Sequence, residues 1–150
     1  MPSQKVMNMT SDVIEAPVSG EIVSGGRKLS KKDVNRAAWR WIFFHQSAHN
    51  YERMMGLGFA HSMSGALQTL YGDNKEGLAQ GLTRNMAFFN TEPQIGTMIV
   101  GVTAGLEEAR ANGEAIDDDA INGIRAGLMG PLAGLGDSLI VGTLIPILLG

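Results

Sequence analysis

The sequence predicts an all-α fold, and three observations lead to that prediction. Apolar residues recur at three- and four-residue intervals through most of the chain, which is the spacing of a helix with one buried face. No segment sustains the strict apolar–polar alternation of a half-buried strand. The stretch 127–150 is apolar and contains a single charged residue, Asp137. These patterns indicate a protein built from helices.

The composition narrows the class of protein. Charged residues make up 18% of the 150 residues and Gly contributes 20 of them, against about 25% charged and about 7% Gly in a typical soluble domain. A formal net charge of −3 argues against general nucleic-acid binding, and the lack of cysteine excludes thiolate catalysis and disulfides. Residues 1–28 show little helical periodicity and are predicted to form a flexible cytoplasmic leader, with the folded domain over 29–150.

The first predicted helix follows Ser30, whose hydroxyl is placed to cap it with Asp33 three residues on. The helix runs through 34–49 and carries a row of basic residues beside its apolar face. With Trp39 and Trp41 added, this composition suits a helix at the membrane interface. An ordinary amphipathic helix on a soluble core is the alternative.

Four further helices are bounded by turn residues and prolines, and they are predicted over 50–71, 75–89, 94–110 and 120–129. Three glycines, Gly56, Gly58 and Gly65, interrupt the first of these, and each costs about 1 kcal/mol relative to alanine in a helix interior. We therefore expect another backbone to approach closely there, as small residues permit between membrane helices. One of the acids at 117–119 is predicted to cap the last helix.

The apolar stretch 127–150 holds Pro131 and Pro146 on either side of Asp137. Prolines break helices into halves, and an isolated carboxylate in such a run lines a cavity or a protein contact because it is costly in hydrocarbon. The stretch therefore predicts a discontinuous or re-entrant membrane element. A glycine-rich helical hairpin buried in a soluble binding module is the alternative.

Catalytic patterns are weak in this sequence. His45, His49 and Glu52 share one helical face if their helix is continuous, which makes a metal-dependent hydrolase a further hypothesis. The glycines of 130–138 match neither template for a phosphate-binding loop. We predict no catalytic residue, no bound metal and no cofactor.

Three blocks resemble, in order, the motifs of one family. The first is Asn50–Met54 with Leu57–Met63, the second is Phe88–Pro93, and the third is Asp117–Ile124 with Gly127–Ser138. They are similar to the IID membrane component of mannose/fructose/sorbose-type bacterial sugar phosphotransferase systems (PTS).

The resemblance implies a helical membrane-transporter subunit with amphipathic and discontinuous or re-entrant helices. Such a subunit pairs with a IIC subunit in the bacterial cytoplasmic membrane, in an oligomeric complex, and imports a hexose-type sugar that is phosphorylated during uptake. It is itself non-catalytic, since the IIA and IIB proteins carry the phosphoryl group. A cytoplasmic N-terminus is expected. Because family members are much longer, 29–150 is predicted to be the N-terminal part of a truncated permease domain.

Polar residues of the motif blocks are the candidates for the sugar path: Asn50, Glu52, Arg53, Asn90, Thr91, Glu92 and Asp137. Their carboxylates, amides and hydroxyl suit hydrogen bonds to sugar hydroxyls, and they suit the capping of broken backbone equally well. A second set is predicted to give the apolar stretch its shape: Gly127, Gly130, Pro131, Gly134 and Gly136.

Overall fold

A computed structural model describes residues 26–150, and over this range the named elements are all helical. The α-helices are α1 (Lys31–Phe44), α2 (Gly56–Tyr71), α3 (Lys75–Asn85), α4 (Pro93–Ala111), α5 (Asp118–Gly136) and α6 (Ile145–Leu149), with a π-helical segment, Asp137–Leu144, between the last two. The all-α prediction is confirmed. Most of the predicted leader lies outside the described residues.

The core lies between α1, α2 and α4, and one face of α5 covers it. Its largest members that exclude solvent completely are Trp41, Phe59, Met63, Leu67, Leu70, Phe89 and Ile99. The pairs α1–α2 and α4–α5 each place the start of one helix against the end of the other. Gly58 near the start of α2 meets the end of α1, for example, and Glu92 before α4 meets Gly136 at the end of α5.

The start of α1 is as predicted, and its end is not. Ser30 and Asp33 form a reciprocal capping box, and the hydrogen bonds from Ser30 hold the pKa of Asp33 below its ordinary value. The helix ends at Phe44 instead of continuing to His49.

Helix α2 starts at Gly56 because residues 50–55 form a turn. Asn50 accepts a hydrogen bond from the backbone N–H of Arg53 through its side chain (2.8 Å), and Met54 has a φ of 49°, a left-handed value that few non-glycine residues adopt. The predicted helix over 50–71 is therefore wrong in its first six residues, where local side-chain bonding replaces the helix. Helix α3 likewise ends at Asn85 and not at Phe89.

The burial of Trp41 corrects the prediction that both tryptophans of α1 suit the membrane interface. Its side chain is completely buried, its Nε1 donates to the carbonyl oxygen of Pro93 (2.8 Å), and its ring meets the edges of Phe59 and Phe89. Trp39 is exposed. Only one of the two tryptophans is therefore available to a surrounding medium.

The stretch 127–150 does not divide at Pro131. Helix α5 continues through this proline, and helical backbone runs on through the π segment into α6. Packing on both sides of Pro131 explains this, since Met129 and Leu132 lie against the core. The predicted break there is wrong, although the π segment interrupts the α-helical hydrogen-bond pattern, and the hydroxyl of Thr143 donates to the carbonyl of Ser138 five residues earlier.

The same stretch does not favour the alternative of a buried glycine-rich hairpin. Residues Asp118–Leu149 form the one helical run of the described chain that is long and apolar enough to cross a membrane, and only 6% of its most apolar window is buried. The core helix of a soluble protein would be mostly buried.

Two of the three glycines of α2 meet backbone, as predicted. A Cβ at Gly58 would lie 2.6 Å from the carbonyl oxygen of His45, and one at Gly56 would lie 2.5 Å from that of Ala87. Gly65 instead faces the side chain of Arg40. Small residues therefore let α2 touch both the end of α1 and the loop after α3.

Replacing Gly58 by alanine is expected to destabilise the protein by about 1–3 kcal/mol, because two backbone carbonyls would have to move. Gly105→Ala is the matched control: it lies inside α4 with no atom near its added methyl, so it is expected to stabilise by up to about 1 kcal/mol. Denaturant unfolding in detergent measures both. Equal effects from the two substitutions would contradict the close approach.

Candidate functional site

The first two motif blocks form one paired loop. The backbone N–H of Met55 donates to the carbonyl of Phe89 (2.8 Å), and the N–H of Phe89 donates to the carbonyl of Arg53 (3.3 Å). These bonds join the turn at 50–55 to the segment at 86–92. The sequence does not reveal this contact, because the two segments lie far apart along the chain. In the structure, the turn with left-handed backbone at Met54 brings them together.

The third block meets this paired loop through α5. The hydroxyl of Thr91 donates to the carbonyl of Met129 (3.2 Å), and the backbone N–H of Asn90 contacts the sulfur of Met129 (3.2 Å). Gly136 lies against Glu92, where an added Cβ would be 2.5 Å from the Glu92 Cγ. The three blocks therefore converge at one end of the helical bundle.

The candidate residues divide by their burial. Thr91 and Glu92 are buried, and the Glu92 carboxylate caps α4 by accepting from the N–H of Ile95 (2.9 Å). Asn50 is part of its own turn. Glu52, Arg53, Asn90 and Asp137 are exposed and able to meet a ligand or another chain.

An open groove of about 290 Å³ lies beside the paired loop. It is lined by Glu52, Arg53, Thr83, Met86, Ala87 and Phe88. A carboxylate, a guanidinium and a hydroxyl above apolar side chains can hydrogen-bond a polar molecule while contacting its carbon skeleton. The groove brings Glu52 and Arg53 together but includes none of the other candidate residues.

The residues predicted to shape the tail have different surroundings. Gly136 is buried against Glu92, whereas Gly127, Gly130 and Gly134 have no atom close to an added methyl group. Pro131 is exposed inside α5. Asp137 follows Gly136 directly and is exposed at the start of the π segment. It is not an N-cap, because helical backbone precedes it.

The metal-dependent hydrolase has no structural support. Since α1 ends at Phe44, the spacing of His45, His49 and Glu52 does not place them on one helical face. The Nδ1 of His45 lies 3.1 Å from the carbonyl oxygen of Trp41. Within residues 26–150, no group of three or more His, Asp or Glu side chains is arranged to hold a metal ion.

A buried ion pair that the sequence reasoning missed supports this end of the bundle. The guanidinium of Arg84 donates to both carboxylate oxygens of Glu107, from Nε at 2.8 Å and from Nη2 at 2.6 Å. Neither side chain is more than 2% exposed. Asn85 Nδ2 donates to the same carboxylate at 2.7 Å, and the Tyr71 hydroxyl also donates to it, at 3.1 Å. Four donors thus satisfy one buried anion.

The ion pair determines the protonation of its neighbours. Burial raises the pKa of Tyr71 to about 12, and the negative charge of Glu107 adds to the rise. Burial alone would lower the pKa of Arg84, but the hydrogen bonds and the charge of Glu107 outweigh it and raise that pKa. Tyr71 is therefore a neutral donor and Arg84 a cation at every physiological pH.

Arg125 links α5 to the same cluster. Its Nη1 donates to the carbonyl of Arg84 (3.1 Å), and its guanidinium stacks over Phe59 with 4.2 Å between the guanidinium carbon and the ring centroid. The ring centroid of Phe89 lies 5.2 Å from the same guanidinium carbon. One buried arginine therefore ties the apolar helix to the loop between α3 and α4.

A signal for this cluster is present in the sequence. Glu107 continues the apolar stripe of α4 at helical spacing after Val100, Thr103 and Ala104. An acid inside an apolar stripe requires a buried cation, but the sequence does not say which arginine supplies it.

Over residues 26–150, fold and site together define a helical bundle with one exposed apolar helix, and the three motif blocks meet at one end of this bundle. The chain belongs to the mannose/fructose/sorbose family of PTS IID components, whose family model matches residues 28–150. The recognition made from the motif blocks is confirmed.

Curated relatives support this assignment. The mannose-specific EIID component of Escherichia coli strain K12 is 49% identical over 121 residues, which is 81% of this chain and 42% of the relative. The sorbose-specific EIID component of Lacticaseibacillus casei is 50% identical over 123 residues, with the same coverage. The fructose permease IID component of Bacillus subtilis strain 168 is 39% identical over 122 residues, covering 81% of this chain and 44% of the relative. The chain thus spans less than half the length of these relatives.

A solved structure shares the fold. The chain superposes with a TM-score of 0.76 on a cryo-EM structure of the mannose transporter ManYZ in complex with microcin E492, at 49% identity over 81% of this chain and 44% of that one. The predicted helical fold is confirmed by this match.

Removing the Glu107 carboxylate with Glu107→Ala is expected to cost about 3–5 kcal/mol of unfolding free energy, because the buried Arg84 would keep only the half-exposed Asp118, at 3.3 Å, as a counter-ion. The control is Asp73→Ala, which breaks the Arg27–Asp73 bridge, where the Asp73 side chain is 91% exposed. It is expected to cost less than about 1 kcal/mol. Chemical denaturation in detergent compares the free energies of unfolding of the two variants. Similar losses would show that the buried pair contributes no more stability than the exposed one.

Proposed function

We propose that this chain is part of the IID permease subunit of a bacterial mannose-family PTS, which works with a IIC subunit in the cytoplasmic membrane to import a hexose-type sugar. The sugar is phosphorylated during uptake, and the IIA and IIB proteins of the system carry the phosphoryl group. The subunit itself is non-catalytic. Family membership and the names of the mannose, sorbose and fructose relatives support this proposal.

The observation that favours a transport role within this chain is the position of Asp137. It is an exposed carboxylate in an uncharged helical stretch, next to the contact between Gly136 and Glu92. A carboxylate at membrane depth is costly unless it faces a polar path or a partner. In the proposal, Asp137 faces the sugar path or the IIC subunit.

The exposed polar residues of the paired loop extend this path. Glu52 and Arg53 line the groove, and Asn90 is an exposed residue of the same paired loop. Carboxylate oxygens accept hydrogen bonds from sugar hydroxyls, and guanidinium and amide groups donate to them. Asn50, Thr91 and Glu92 serve the path indirectly, because they hold the loop backbone in place.

Co-expression of the full-length subunit with its IIC, IIA and IIB proteins, in cells lacking their own system, tests the proposal. Uptake and phosphorylation of radiolabelled mannose, fructose or sorbose are expected, with one sugar preferred. If both membrane subunits insert correctly and none of the three sugars is taken up, the proposal that the subunit imports a hexose-type sugar is contradicted.

Asp137→Ala is expected to lower the rate of uptake at least severalfold while leaving membrane insertion intact. Asp119→Ala is the matched control, because it removes an exposed acid from the charged start of the same helix and is expected to leave uptake unchanged. The measurement is initial uptake rate at equal amounts of membrane-inserted subunit. Unchanged uptake in Asp137→Ala would refute the role of this carboxylate.

A further inference from the structure

Four exposed apolar side chains lie within the last six residues of α1. We call this surface the aromatic end, and its members are Trp39, Ile42, Phe43 and Phe44. Phe43 is 71% exposed and Trp39 is 59% exposed. Single exposed apolar residues are common, but a group of this size marks a surface that another apolar medium covers.

The exposed side of α1 changes character along the helix. Its first half presents Lys31, Lys32 and Arg36 to the surroundings, and its last turns present Trp39 and Phe43. The two aromatic rings stack with their centroids 5.7 Å apart. Charged and apolar exposed side chains are therefore separated along the axis of α1. In the usual amphipathic helix they are separated around the axis.

Contacts through both ends of α4 fix the position of α1 along the bundle axis relative to the apolar helix α5. At the aromatic end, Trp41 donates to Pro93, and the adjacent Glu92 lies against Gly136 in the apolar part of the Asp118–Leu149 run. At the other end, the N–H of Leu29 donates to the Glu108 carboxylate (2.8 Å).

The charged start of α5 lies at this same basic end. Arg110, two residues after Glu108, pairs with Asp118 at 2.6 Å in the first turn of α5. Helices α1 and α5 therefore change from charged to apolar in the same direction and at matching levels. This shared change along the two helices matches the passage from the head groups to the interior of a bilayer.

We propose that the aromatic end inserts into a phospholipid bilayer, with Trp39 in the interfacial layer and the basic first half of α1 at the head groups. Tryptophan and tyrosine favour the interface because one part of the ring is apolar and another donates a hydrogen bond. The positive charges of Lys31, Lys32 and Arg36 complement anionic phospholipid head groups. The proposal rests on the membrane location of the subunit and does not depend on which sugar it carries.

Site-directed spin labelling tests this placement in the full-length subunit, co-purified with IIC and reconstituted in nanodiscs of phosphatidylethanolamine and phosphatidylglycerol. Nitroxides are attached in a cysteine-free background to Lys32→Cys, Trp39→Cys and Phe43→Cys, with Glu76→Cys on exposed α3 as the aqueous reference. Collision rates with oxygen, which concentrates in lipid, and with a water-soluble nickel chelate are then compared. Sugar uptake by each variant shows that the complex remains assembled.

The ratio of oxygen to nickel collisions is expected to rise severalfold from position 32 to positions 39 and 43, with position 32 resembling position 76. Low collision rates with both reagents at 39 and 43 would mean that protein, such as the IIC subunit, covers the aromatic end, and would overturn the proposal. A nickel-dominated ratio there would mean exposure to water and would overturn it equally. The expected lipid signature together with no sugar uptake by the unsubstituted complex would refute the transport role alone.

Discussion

The ion pair between Arg84 and Glu107 is the interaction on which the arrangement of the helices depends. Both side chains are almost fully buried, and Asp118, which lies 3.3 Å from Arg84, is half exposed, so the loss of either buried charge is costly. Their hydrogen-bonded neighbours come from α2 through Tyr71, from α3 through Asn85 and from α5 through Arg125, which bonds the backbone carbonyl of Arg84. Four helices are thereby held to one centre, and a shift of any of them would break a hydrogen bond of this buried cluster.

This centre lies directly beside the motif segments. Arg84 and Asn85 are the last residues before the loop at 86–92, and Arg125 binds the carbonyl of Arg84 while stacking on Phe59 and Phe89. The loop is consequently held between the ion pair and α5, and its outward side pairs with the turn at 50–55. The exposed polar groups of the candidate site are therefore carried on backbone that a buried electrostatic network positions.

Local patterns predicted the helices, and tertiary contacts decided their ends. The caps at Ser30 and Asp117 and the close approach at Gly56 and Gly58 follow from the chemistry of single residues, and the structure confirms them. The continuation of α5 through Pro131 does not follow from single residues, because core packing on both sides of the proline overrides its tendency to break a helix. The partner of Glu107 was equally hidden, since a sequence shows that a buried acid needs a cation without showing which helix faces it.

Hydrogen exchange in Glu107→Gln tests most directly whether this ion pair holds the paired loop, because glutamine keeps the shape of the side chain and removes its charge. In the full-length complex, the amides of Met55 and Phe89, which bond across the loop, are predicted to exchange faster than in the unmodified protein, while amides in the middle of α1 keep their protection. Unchanged exchange at Met55 and Phe89 would contradict the account, because the loop would then hold its position without the charge at its base.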